Sequence, residues 1–108
     1  MSKITDISEV DMGWAVFVVN FTSEDFFSEG DKCFGLIDMD EYVISIDNRQ
    51  HEAAIKETFL HELTHAIIRS AGLEDEISMD EEQLVHILTR GYLTISRLNP
   101  ELIKHLLV

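Results

Sequence analysis

Residues 13–21, GWAVFVVNF, set Trp14, Val16 and Val18 on one face of an extended chain and Ala15, Phe17, Val19 and Phe21 on the other. Apolar groups on both faces predict a central strand. The following TSEDFFSEGDK supplies a Thr/Ser cap signal, a helical turn carrying Phe26 and Phe27, and a glycine exit, and reads as a connection. In CFGLIDMDEYVISIDN a short strand precedes a polar turn at residues 38–41. In the second strand Val43, Ser45 and Asp47 alternate with Tyr42, Ile44 and Ile46. Alternation with one polar face predicts an exposed or edge strand.

From about residue 51 to 71 the period changes. Ile55, Phe59, Leu63 and Ile67 recur at helical spacing, and Gly72 stands where a left-handed cap residue belongs. A second amphipathic helix is predicted over 78–98, with Leu84, Val85, Leu88, Tyr92, Ile95 and Leu98 on one side. Asn99 and Pro100 end it, and Asn99 as cap with Pro100 in the first helical position starts a short terminal helix. Strands first and helices after predict an α+β domain, one unit over 1–108, with the helices packed on one small sheet.

Composition narrows the function classes. One cysteine, Cys33, excludes an intrachain disulfide and a cysteine-based zinc cluster. It reads as a small, buried apolar residue in a reducing compartment. Acidic residues outnumber basic ones 21 to 8, a formal charge of -13 that repels phosphate backbones and anionic lipid. Nucleic acid and membrane are therefore not expected as partners, whereas a basic polypeptide is compatible. With no signal-like N-terminus and no apolar run long enough to span a bilayer, a cytoplasmic location is expected.

The chemistry concentrates in TFLHELTHAI. His61 and His65, four apart, share one face of the predicted helix with Cβ atoms about 5–6 Å apart, a spacing that suits two imidazoles on one metal. Glu62, directly after the first ligand, is placed to act on water rather than to bind the metal. A catalytic zinc requires a third protein ligand, and Glu81 and Glu82 are the candidates. Ser78 with Glu81 matches a capping box, which occupies Glu81 and favours Glu82. A second donor for the oxyanion is not assignable among His86, Tyr92, Tyr42 and His51.

With GLIDMDEYVISID before this motif and EEQLVHILTRGYLTISRLNPELI after it, the chain resembles the small gluzincin metallopeptidases of the ImmA/IrrE type, particularly the compact phage and prophage versions. The resemblance spans about residues 33–104. It implies a minimal zincin-like fold, a small and mostly antiparallel sheet of about three strands packed on an active-site helix and a glutamate helix. It also implies zinc held by His61, His65 and Glu82, with Glu62 as the base in peptide-bond hydrolysis. Some relatives of that type act on DNA-binding repressors. An extended substrate is expected to pair with YVISID at a free sheet edge. The alternative is a zinc-binding interaction module that keeps the scaffold without turnover.

Overall fold

In the computed structural model, which describes residues 3–72 and 80–106, a 3-10 turn at Ile4–Asp6 precedes six strands and then three helices. The strands are β1 (Glu9–Asp11), β2 (Val16–Thr22), β3 (Phe26–Ser28), β4 (Asp31–Cys33), β5 (Gly35–Asp38) and β6 (Val43–Asp47). The helices are α1 (Glu52–Ser70), α2 (Glu81–Leu98) and α3 (Pro100–Leu106). The main sheet has the order β1-β2-β6-β5. The architecture is the expected α+β, but the sheet is mixed and four-stranded: β1 and β2 are antiparallel, β2 and β6 parallel, β6 and β5 antiparallel. No helix among the described residues is long and apolar enough to cross a membrane.

Strand β2 is interior, as its apolar residues require. Phe17 and Val19 are buried, while Val16 and Val18 are about half exposed on the outer face. Strand β6 corrects the edge expectation, since β2 and β5 flank it on both sides. Its alternation reports a sheet covered on one face only: Ile44 and Ile46 meet the core, whereas Val43 and Ser45 lie towards the open face. The true edges are β1 and β5.

The segment containing Phe26 and Phe27 is a hairpin, β3 paired antiparallel with β4, and not a helical turn. Its two turn residues, Glu29 (φ 52°) and Gly30 (φ 86°), both lie in the left-handed region. That combination matches the twist of a two-residue hairpin loop and cannot continue a right-handed helix.

Helix α1 covers one face of the main sheet. Ile55, Phe59, Leu63, Ala66 and Ile67 form its buried stripe and share a core with Phe17, Ile37, Ile44 and Ile46. Fully buried, the larger of these side chains contribute about 1.5–3 kcal/mol each. Helix α2 lies against α1 chiefly through its C-terminal half. Ile95 is buried, and the Tyr92 hydroxyl bonds that of Thr64. A methyl group at Gly91 would stand 2.6–2.9 Å from three carbons of Ile67. The glycine therefore costs about 1 kcal/mol of helix propensity and lets the two helices approach.

Helix α2 is capped by Asp80, whose side chain accepts from the Gln83 N–H while the Gln83 side chain accepts from the Asp80 N–H. This replaces the expected Ser78–Glu81 box. Ser78 lies outside the described residues, and Glu81 is the first helical residue rather than the third. Asn99 stands as expected between α2 and α3, its carbonyl accepting from the Ile103 N–H and Pro100 opening the helix, and it has a further role. Its side chain accepts from the Asp11 N–H and donates to the Asp11 and Ile95 carbonyls, so it fastens the end of α2 to edge strand β1.

Buried Asp47 anchors the chain between β6 and α1. Its carboxylate accepts from the Arg49 N–H and guanidinium, and Arg49 also pairs with Asp25 ahead of the hairpin. Bonds from Arg49 hold the Asp47 carboxyl down at about 2. A carboxylate with a lower pKa in the folded than in the unfolded chain stabilises the fold above about pH 4. That contribution disappears as pH falls towards 2. In thermal melts Asp47→Asn is expected to be less stable than the wild type at neutral pH, with the difference shrinking steadily between pH 4 and pH 2. A difference that stays constant over this range would show that Asp47 is not ionised in the fold.

Candidate active site

The H-E-x-x-H sequence falls in the middle of α1, where the helix rotation is set by the buried stripe. His61 and His65 are one turn apart and come together as the spacing predicts. Their Nε2 atoms are 3.1 Å apart and their rings meet edge-on at 4.8 Å. His61 is exposed and His65 half-buried. Burial lowers the His65 pKa, helped by the charges of His61 and Arg69. The shift favours the neutral form that a metal ligand requires. Two imidazole nitrogens on a tetrahedral zinc, with bonds of 2.0–2.1 Å, stand about 3.3 Å apart. The pair fits two of the positions around such an ion.

Glu62 differs from both histidines in being buried, 6% exposed. Burial pushes its carboxyl above the usual carboxylate range, against the opposing effect of His61 and Arg69. It has no hydrogen-bond partner among the described residues, and no side-chain oxygen among them is both unpartnered and closed off from solvent. The Glu62 oxygens therefore open onto the adjoining cleft of about 420 Å3. Ala54, Glu57, Thr58, His61 and Glu62 form the helical side of this cleft, spaced so that they share one face of α1. Cys33, Phe34 and Gly35 form the opposite side, and Gln50 closes one end.

The structure does not bring Glu82 to the histidines. Thr64 meets Tyr92 and Ile67 meets Gly91, so the part of α2 beside the motif begins near residue 91. Glu82 lies in the first turn of that helix, exposed, roughly 14 Å further along its axis at the usual rise per residue. Glu81 is exposed in the same turn. Among the described residues no three His, Cys, Asp or Glu side chains are grouped as a metal ion would require. Residues 73–79, between α1 and Asp80, lie outside the described residues.

None of the four oxyanion candidates lines the cleft. Tyr92 is bonded to Thr64, Tyr42 packs with Trp14 and Phe17, His86 lines a separate cavity beside Arg90, and His51 stands at the N-cap position of α1 without a side-chain cap bond. Cys33 is only partly buried. It stands near Glu62, and burial, with a smaller contribution from that carboxylate, raises its pKa.

Gly35, Gln50 and Thr58 were not identified from the sequence as site residues. Only Gly35 carried a signal, as a lone glycine at the start of an apolar strand. A Cβ on Gly35 would lie 2.5 Å from the Thr58 methyl and 3.0 Å from the Glu62 Cγ. The glycine thus lets the β5 backbone press onto Glu62. Gly35→Ala is expected to destabilise the fold by about 1–3 kcal/mol, as an overpacked site does. In urea unfolding, an unchanged midpoint would mean that β5 does not approach α1 this closely.

Compared with known proteins, the chain matches no family model, no curated protein and no solved structure.

Proposed function

We propose that the protein is a small zinc-dependent metallopeptidase with a minimal zincin-like arrangement, in which His61 and His65 hold the metal and Glu62 is the base. The observation that carries this reading is the paired Nε2 atoms, 3.1 Å apart, beside a buried carboxylate whose oxygens open onto a cleft. Bound zinc supplies Lewis acidity, polarising a carbonyl and acidifying water. Glu62, made more basic by burial, accepts the proton of the attacking water and returns it to the leaving amine. The cleft runs beside β5, a free edge of the main sheet, and an extended peptide can add to that edge through main-chain hydrogen bonds. This moves the proposed substrate strand from β6, which is interior, to β5.

A second reading, an interaction module that binds zinc without turnover, uses the same histidines. It is favoured by the position of Glu82, which leaves the pair without a third protein ligand among the described residues. Incubation of the zinc-loaded protein with a diverse peptide pool separates the two. Cleavage that stops on chelation, and falls by about 100-fold or more in Glu62→Gln, is the outcome expected of a peptidase. Inactivity of the zinc-loaded wild type across the pool would assign the scaffold to the module.

Zinc affinity, measured by competition with a chelator, tests the ligand set directly. His61→Ala and His65→Ala are each expected to lose most of the affinity. Glu82→Gln should change it by no more than a few-fold, because the side chain lies a long way along α2 from the pair. A loss at Glu82 as large as that at either histidine would restore it as the third ligand and require α2 to slide along α1.

A further inference from the structure

Apart from the chemistry of Glu62, the cleft has an uneven polar lining. Gln50 accepts from the Thr58 hydroxyl and donates to the Asp47 carbonyl, Cys33 donates to the Phe26 carbonyl, and His61 meets His65. These side chains satisfy one another or nearby backbone. Glu57 and Glu62 remain without a hydrogen-bond or ion-pair partner among the described residues, one exposed at the mouth and the other 6% exposed at the floor. No Lys or Arg lines the cleft. Lys32 stands beside its Phe34 wall, 5.8 Å from the ring centre, and is paired with Asp25.

We propose that this cleft seats a lysine or arginine side chain of a polypeptide substrate, with Glu57 as the residue that selects it. The inference rests on the peptidase reading and names its substrate class. A long basic side chain can lay its methylenes along Phe34 and Ala54 while its charge reaches a carboxylate, the amphipathic habit of such residues. Glu57 is four residues before His61 and so lies one turn away on the same helix face, placing the selected side chain beside the metal-binding pair. The excess of acidic residues, 21 against 8, favours the approach of a basic chain in the same sense.

The test uses 15N-labelled, zinc-loaded protein and two blocked pentapeptides that differ only in a central lysine or norleucine, with n-butylamine as a third ligand. The lysine peptide is expected to bind about 3- to 5-fold more tightly at low salt, the range of an exposed ion pair. Amide shifts should centre on Ala54, Glu57 and Thr58, and the preference should vanish in 0.5 M salt. Glu57→Gln, an exposed helical change of nearly equal propensity, should abolish the preference and leave the fold intact. Butylamine should bind at least ten-fold more weakly than the lysine peptide. Equal affinities for the two peptides, or a preference that survives Glu57→Gln, would overturn the proposal, as would butylamine binding as tightly as the lysine peptide. Mass spectrometry of the same samples reads hydrolysis separately. Lysine-selective binding without cleavage would sink the peptidase reading and keep the selectivity, whereas cleavage of both peptides at equal affinity would do the reverse.

Discussion

Burial of the Ile55–Phe59–Leu63–Ala66–Ile67 stripe against Phe17, Ile37, Ile44 and Ile46 sets the rotation of α1, and through it the direction of every other side chain on the helix. At about 100° per residue, the neighbours of Leu63 leave the stripe on opposite sides. Glu62 turns towards β5 and the cleft, while Thr64 turns towards α2 and meets Tyr92. The histidines on either side of this trio lie roughly opposite Leu63 around the helix and converge on each other, with His61 reaching the cleft. Truncating Phe59 would cost about 3–5 kcal/mol and would also release the rotational setting on which the candidate site depends.

Two glycines then decide how closely the other elements approach that helix. Gly35 lets the backbone of an edge strand press onto Glu62, and Gly91 lets α2 lie on Ile67. In both places a single added carbon would meet packed side-chain atoms, so the separation between layers is set by the missing side chain. The consequences differ. At Gly35 the close approach encloses a carboxylate and raises its proton affinity, whereas at Gly91 it fixes the helix that carries Glu82 and so where that glutamate can lie.

Polar contacts tie the chain at both ends of β2, where Asp11 pairs with Val16 and Asp47 with Thr22. Asn99 joins the end of α2 to β1 through the Asp11 backbone, and Arg49 links Asp47 on β6 to Asp25 before the hairpin. These bonds connect residues 88 and 24 positions apart, and they hold the strands in place on either side of the core. Among the described residues the first turns of α2 have no comparable fastening: Glu81, Glu82, Gln83, Val85 and His86 are exposed.

What was legible in the sequence was local. The extent of α1, the pairing of His61 with His65 and the interior character of β2 follow from spacing and side-chain type within one element, and the structure shows all three. Where two local signals competed, only geometry chose. Ser78 and Asp80 both precede an acidic or amide side chain by three, and α2 starts from Asp80; Phe26 and Phe27 follow a cap signal, yet Glu29 and Gly30 turn the chain into a hairpin. Whether β6 is an edge, which glycine approaches Glu62 and how far Glu82 lies from the histidines are relations between residues distant along the chain. No periodicity encodes them, because they are set by how the layers pack and not by the preferences of any one segment.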